Sequence, residues 1–182
     1  MKLDFSSVWQ YWPFLYHGAL TTLKITAMAA VLGFILGVLL SLIKISKCKP
    51  LVWFGNFYTS IFRGTPLLVQ LCIVHFGLPQ LTGMTLTTMQ SGVLTFSLNS
   101  AAYISEIFRG GINAIDRGQY EAAMSLGVGY RDMMKDIILP QAIKSVLPSL
   151  VNEFISLLKN TTLIASIGLV DILCVGQQIQ SR

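Results

Sequence analysis

Polar and ionisable side chains occur inside a stretch of this sequence that is otherwise apolar. Asn99, Tyr103 and Glu106 lie within residues 88–110, at spacings of four and three. These spacings put all three side chains on one face of a helix. A carboxylate inside a membrane is expensive and seldom faces lipid. This face is therefore expected to line a polar path or to pair with charged groups inside the protein.

A second polar face is expected in residues 146–170. Glu153 and Asn160 are seven residues apart, nearly two helical turns, and Lys159 lies on the adjacent face. Such a surface would bind a small zwitterion, because a carboxylate attracts the ammonium group while Lys159 or Arg63 attracts the carboxylate. The polar run after Lys159 can also bond backbone groups and offset or loosen the helix locally. The alternative is a hydrogen-bond network that only holds the helices together.

The candidate substrate path collects the polar residues of the apolar segments: Arg63, Gln70, Asn99, Tyr103, Glu106, Glu153, Lys159 and Asn160. For Glu106 an alternative stays open, in which it lies near a helix end and pairs with Arg109 or Arg63. No catalytic residue is expected, because the sequence contains no Walker A loop, no HExxH and no GxSxG. The cysteines and histidines lack the spacing of metal ligands, so no metal site is predicted.

Composition indicates that the elements carrying these residues are membrane helices. Hydrophobic residues make up 53% of the sequence and charged residues 12%, with a mean hydropathy of +0.65. Soluble domains carry roughly 25% charged residues, so the solvent of this chain is expected to be lipid. The net charge of +5 resides in short loops without interleaved aromatic residues, which argues against nucleic-acid binding.

The predicted fold is an all-α, multi-pass membrane bundle with about four spans. A span needs about 20 mostly apolar residues. The spans are placed at residues 18–45, within 51–79, at 88–110 and at 146–170, with a polar loop at 116–140. Both basic loops, one after the first span and one after the third, are expected in the cytoplasm by the positive-inside rule, which leaves the N-terminus outside.

Two of these spans have local features of their own. Ala29, Gly33, Gly37 and Ser41 recur every four residues, which predicts close helix packing, either within the chain or at a subunit interface. The second span is expected to be broken before Pro66, with Thr65 capping a new helix that starts at the proline. The alternative is a simple helix start at the membrane surface.

The polar loop resembles a known motif. Residues 121–140 read EAAMSLGVGYRDMMKDIILP, which is similar to the EAA loop of ATP-binding-cassette importer permeases. The pattern is EAA, three residues, Gly, nine residues, Ile, one residue, then Leu-Pro. The segments FRGTPLLVQ, LNSAAYISEIFRGGINAIDRGQYEAA and FISLLKNTTL further resemble the polar amino-acid uptake subfamily, which includes histidine, glutamine, arginine and cystine permeases.

This resemblance implies a permease subunit in the bacterial cytoplasmic membrane. It works as a homodimer or with a sister permease, engages one cytoplasmic ATPase per subunit, and receives substrate from an extracytoplasmic binding protein. No cofactor is expected in this chain, because ATP and magnesium belong to the partner subunit. The residues assigned to ATPase coupling are Glu121, Ala122, Ala123, Leu126, Gly127, Ile137, Leu139 and Pro140. Gly127 and Gly129 are expected to allow the turn, and Pro140 to end the hairpin before the last span.

Two departures from the resembled family shape further expectations. Such permeases usually continue through a fifth span, whereas this sequence stops at Arg182, so a non-transporting permease relic that still binds the ATPase remains an alternative. A secondary carrier without an ATPase is disfavoured by the EAA pattern. Many relatives read Lys-Asp-Thr-Ser where this chain has Lys159, Asn160, Thr161 and Thr162. The lost carboxylate predicts a neutral or mildly polar amino acid as cargo.

Overall fold

A computed structural model describes residues 9–180, and the predicted all-α class is confirmed for them. The helices are α1 (Trp12–Ile45), α2 (Lys49–Gly64), α3 (Leu67–Thr82), α4 (Thr88–Asn113), α5 (Arg117–Ser125), α6 (Tyr130–Ile167) and α7 (Ile172–Gln180). The position predicted for the N-terminus itself falls outside the described residues. The main contacts run between α1 and α4 and between α4 and α6, so α4 is the central helix of the bundle.

Length and hydropathy support part of the predicted span pattern. Within residues 9–180, α1 alone is a straight helix long and apolar enough to cross a membrane. The pairs α2–α3 and α6–α7 also pass when each is taken as one bent unit, with bends of 104° and 60°. Helix α4 has 26 residues but many Ser, Thr and Asn side chains, most of them buried against its neighbours. Its assignment as a separate span stays a prediction.

The small-residue face of α1 packs against α4. A Cβ built on Gly37 would lie 2.7 Å from Cβ of Ile104, and one built on Gly33 would lie 3.1 Å from Cβ of Ser100. The distance at Gly37 is too short for a Cβ atom, and the one at Gly33 is tighter than most Cβ contacts, so both glycines allow the helices to approach closely. The predicted close packing is confirmed, and it occurs inside the chain.

The chain breaks between α2 and α3 as predicted, but the local geometry differs. Pro66 is extended, at φ −61° and ψ 133°, and α3 begins at Leu67. Thr65 does not cap α3, because its hydroxyl donates to the carbonyl of Ile61 at 2.8 Å, at the end of α2. Helix α3 continues to Thr82 through a π-helical turn at Ile73–Gly77. The predicted role of Thr65 was therefore wrong.

The polar loop folds as a helical hairpin whose second helix continues past Pro140. Asp116 caps α5, its Oδ1 accepting from the backbone N of Gly118 at 2.6 Å, and Gly127 turns the chain at a φ of 71°. Pro140 does not end the hairpin. A π-helical turn at Met133–Ile138 precedes it, so the missing N–H falls in the first turn of the following α-helical segment. Helix α6 thus runs without interruption into the last predicted span, and no boundary occurs near Val146.

Helix α6 changes its geometry at the polar run. After its π-helical turn it is α-helical at Leu139–Asn160 and becomes a 3₁₀-helix at Thr161–Ile167. The hydroxyls of Thr161 and Thr162 each donate to a carbonyl three residues earlier, at 2.7 Å. These bonds favour the tighter winding, so the helix does change at this point, but it tightens and is not loosened as the sequence predicted.

Candidate functional site

A polar cavity lies between α4 and α6, beside the α2–α3 break, and is called the central cavity below. Its volume is about 510 Å³. It is lined by Thr65, Leu67, Asn99, Tyr103, Ser149, Asn152, Glu153, Ser156 and Asn160. Except for Leu67, these side chains all carry hydrogen-bonding groups, so the cavity suits a small polar ligand.

Four of the predicted path residues meet at this cavity. Asn99 and Tyr103 come from α4, and Glu153 and Asn160 come from α6. Lys159 lies on an exposed part of the neighbouring face and does not line the cavity. The predicted pairing of a ligand carboxylate with Lys159 therefore has no support in this structure.

Three cavity residues on α6 were given no role from the sequence, namely Ser149, Asn152 and Ser156. Ser149, Glu153, Ser156 and Asn160 follow each other at spacings of four, three and four. This spacing keeps all four on one helical face, so the pattern itself contained the signal. Asn152 joins them from the edge of that face.

Gln70 supports the cavity from behind. The side-chain nitrogen of Asn99 donates to Oε1 of Gln70 at 3.0 Å and to the carbonyl of Phe62 at 2.9 Å. The amide nitrogen of Gln70 donates to Phe62, to the carbonyl of Thr65 and to the hydroxyl of Thr65, at 2.9, 3.1 and 2.8 Å. These bonds satisfy backbone groups left free at the α2–α3 break. Gln70 thus positions Asn99 and does not line the cavity.

The carboxylate of Glu153 faces the central cavity and has few partners that stabilise its negative charge. Its Oε1 accepts a hydrogen bond from the hydroxyl of Ser100 at 2.9 Å. Among residues 9–180, no basic side chain forms an ion pair with it. A carboxylate in this setting can still accept several hydrogen bonds, which a ligand ammonium group can supply.

Glu106 has different surroundings and lies toward the C-terminal end of α4, which leads to the basic loops. Lys44 forms an ion pair and hydrogen bond with its Oε1, and Arg109 donates to its Oε2 at 2.7 and 3.1 Å. Arg63 approaches Oε2 to 3.8 Å. The alternative in which Glu106 pairs with Arg109 or Arg63 is confirmed. Lys44, whose ammonium also donates to the hydroxyl of Thr59 at 3.0 Å, was not foreseen as a partner.

These charges border a second open cavity, called the vestibule below. Its volume is about 520 Å³. It is lined by Lys44, Asn56, Thr59, Ser60, Arg63, Gly64, Glu106 and Arg109. The predicted path residues are therefore divided, with Arg63 and Glu106 in the vestibule and four others in the central cavity.

The residues assigned to coupling are also divided between core and surface. Ala123 is buried in a small core of the hairpin together with Met133 and Ile138, and Ile137 is partly buried against this core. Glu121, Ala122, Gly127, Leu139 and Pro140 are exposed, as is Leu126, which is 82% exposed. An exposed leucine and a small alanine on a folded hairpin offer an apolar contact surface to a partner.

The described residues contain no grouping of three or more His, Cys, Asp or Glu side chains that could hold a metal ion. Cys48, Cys72 and Cys174 are free thiols.

A helical bundle with a polar cavity and an exposed hairpin is the architecture of a membrane transport subunit. The chain belongs to the family described as binding-protein-dependent transport system inner membrane component, which matches residues 29–181. This confirms the resemblance that the EAA pattern indicated. The chain is 54% identical over 173 residues to the arginine transport system permease protein ArtQ of Bacillus subtilis (strain 168), covering 95% of this chain and 79% of the relative. It is 39% identical to the L-cystine transport system permease protein TcyB of the same organism, covering 94% and 73%.

Solved structures agree with this assignment. A crystal structure of an amino acid ABC transporter with histidines superposes with a TM-score of 0.93 at 42% identity, covering all of this chain and 84% of that one. An inward-facing structure of the MetNI methionine ABC transporter has a TM-score of 0.71 at 20% identity, covering 89% and 78%, and so shares the fold.

Proposed function

We propose that this chain is the permease subunit of an importer that carries polar amino acids across the bacterial cytoplasmic membrane. The main support for the proposal is the central cavity, in which Glu153 has no cationic partner among residues 9–180 and faces amide and hydroxyl groups. The ammonium group of an amino acid would take the place of the missing cation. Relatives named for arginine and cystine transport support the same class of substrate.

The rest of the cavity is suited to the other end of a zwitterion. Tyr103, Asn152 and Asn160 provide neutral donors on two facing helices. Neutral donors hold a carboxylate without adding charge, and a neutral side chain at position 160 leaves Glu153 as the single carboxylate among the described residues of the cavity lining. The proposed cargo is therefore a neutral polar amino acid, represented by L-glutamine, and not arginine or lysine.

Energy would come from a partner ATPase through the α5–α6 hairpin. Its exposed face carries Glu121, Ala122 and Leu126, while Ala123 and Ile138 keep it folded as a unit. The second arm of the hairpin is the first part of α6, so a movement of the hairpin can be transmitted along this helix to Glu153 and Asn160. The remaining partners are a second permease subunit and an extracytoplasmic binding protein. In this arrangement the chain crosses the membrane several times with the hairpin in the cytoplasm.

ATP-dependent uptake in proteoliposomes tests the proposal. The permease is reconstituted with its ATPase and binding protein, and labelled L-glutamine, L-histidine, L-arginine and L-cystine are compared. Uptake that requires ATP and prefers a neutral amino acid is expected. Absence of uptake with every amino acid would favour the non-transporting scaffold, and a strong preference for arginine would overturn the proposed cargo.

Coupling is tested at Gly127. Its positive φ is unfavourable for residues with a side chain, by roughly 1–2 kcal/mol. Gly127→Leu is expected to abolish uptake while membrane insertion stays normal. Gly129→Ala is the control, since Gly129 has a φ of −62° that any residue adopts. Normal uptake by Gly127→Leu would contradict the coupling role of the hairpin.

A further inference from the structure

The central cavity and the vestibule adjoin at one side-chain contact. The guanidinium carbon of Arg63 lies 5.2 Å from the centroid of the Tyr103 ring. Tyr103 lines the central cavity, whereas Arg63 lines the vestibule. The consecutive residues Gly64 and Thr65 likewise border one cavity each. The stacked pair therefore stands at the boundary between the two spaces.

One stripe of α4 leads from the first space into the second. Asn99, Tyr103, Glu106 and Arg109 follow at spacings of four, three and three, so they lie along one side of the helix. The rise from Asn99 to Arg109 is about 15 Å at 1.5 Å per residue. A ligand that leaves the central cavity along this stripe enters the vestibule past Arg63.

The charges of the vestibule leave Arg63 available. Lys44, Arg63 and Arg109 surround a single carboxylate, Glu106. Lys44 and Arg109 both hydrogen-bond to that carboxylate, and the Lys44 side chain is 2% exposed. Arg63 is 44% exposed, and its nearest approach to Glu106, 3.8 Å, is beyond hydrogen-bond distance. Its planar fork can therefore bind a second carboxylate.

We propose that the vestibule is a second amino-acid subsite, in which Arg63 takes the α-carboxylate of the substrate as it leaves the central cavity. This inference rests on the proposed function. Arg63 would move from the face of Tyr103 to the ligand, and the exposed ring would then be free to contact the ligand ammonium group. The subsite binds more weakly than the central cavity, because Arg63 remains accessible to water, which screens its charge.

A phospholipid phosphate would also fit Arg63 and Arg109. The structure favours the carboxylate of the transported solute, because Arg63 contacts Tyr103, which lines the central cavity and lies on the α4 stripe. A lipid headgroup requires no such connection. Whether the vestibule binds a phospholipid phosphate or the carboxylate of the transported amino acid is therefore tested by changing the lipid composition of the membrane.

Equilibrium binding of labelled L-glutamine to the assembled transporter in phosphatidylcholine nanodiscs tests the second subsite. Two sites per permease subunit are expected for the natural sequence. Arg63→Gln should weaken the second site about tenfold, the effect of a lost charge-assisted hydrogen bond, and leave the first unchanged. Arg63→Lys, which keeps the charge without the fork, should recover part of the affinity. Lys47→Gln, an exposed charge outside the vestibule lining, is the control and should change neither site.

Uptake kinetics give an independent readout. Arg63→Gln is expected to lower kcat about tenfold with KM within about twofold, because release and not first binding is affected. A single site that Arg63→Gln does not alter would overturn the second subsite while leaving the proposed function intact. An effect of Arg63→Gln confined to nanodiscs containing phosphatidylglycerol would assign the vestibule to lipid and would also overturn it. Absence of any glutamine binding by the natural sequence would refute the proposed function itself.

Discussion

Two carboxylates on facing helices of this bundle have opposite surroundings. Glu106 of α4 is held by Lys44 and Arg109, with Arg63 close by. Glu153 of α6 has the hydroxyl of Ser100 as its side-chain partner and lies open to the central cavity. Both residues are partly buried.

The difference separates a structural charge from a charge kept for a ligand. A buried ion such as Lys44 is costly unless it is paired, so Glu106 offsets the cost of burying the Lys44 ammonium group. Glu153 does not neutralise a buried cation in this way. Its charge lacks a cation in the described protein, and an amino acid supplies one. Changing each carboxylate and its surroundings separately tests whether the two charges have these different roles.

The largest effect is expected at Glu106. Glu106→Gln leaves the Lys44 ammonium buried without its carboxylate, which should lower the free energy of unfolding by about 3–5 kcal/mol. Equilibrium unfolding of the purified permease in mixed micelles measures this change. The double variant Lys44→Met with Glu106→Gln should recover most of the stability. A loss below about 1 kcal/mol for the single variant would show that the pair is not structural.

A smaller loss of stability is expected when the packing between α1 and α4, which places Lys44 beside Glu106, is disturbed. A Cβ on Gly37 would meet Ile104 at 2.7 Å. Gly37→Ala should therefore lower the free energy of unfolding by about 1–3 kcal/mol through overpacking. The matched control is Gly176→Ala on α7, where nothing lies within 4 Å of the added Cβ. Equal stability of the two variants would contradict the packing described for α1 and α4.

The smallest effect is expected at Asn160, which shares the cavity with Glu153. Asn160→Asp adds a second carboxylate to the lining and should raise the preference for arginine over glutamine by up to about fivefold, the range of a solvated ion pair. Competition between the two labelled amino acids in an uptake assay measures the ratio. Gln177→Glu adds the same charge outside the cavity lining and should leave the ratio unchanged. An unchanged ratio in Asn160→Asp would remove this residue from the specificity determinants.

Local patterns predicted much of this molecule. The helical class, the break at Pro66 and the turn at Gly127 all follow from residues close together in sequence, as does the location of the change after Asn160, although not its direction. Glu153 and Asn160 were found because one helical face repeats every three to four residues.

The errors came where a neighbouring element decides the outcome. Pro140 was expected to stop a helix, but the preceding π-helical turn accommodates its missing N–H. Lys44 and Glu106 are 62 residues apart, and no periodicity within one helix encodes that pairing. Lys159 was placed on the path because of its charge, although its position one residue before Asn160 rotates it by roughly 100° out of the cavity face.

The central claim is that Glu153 binds the amino group of the substrate. Its most direct test is the affinity of the assembled transporter for labelled L-glutamine before and after Glu153→Gln. The variant should keep its stability within about 1 kcal/mol, since no buried cation depends on Glu153. Its affinity for glutamine at the central cavity should fall by about 10–100-fold, the loss of a charged hydrogen bond. An unchanged affinity in a folded Glu153→Gln transporter would contradict the account.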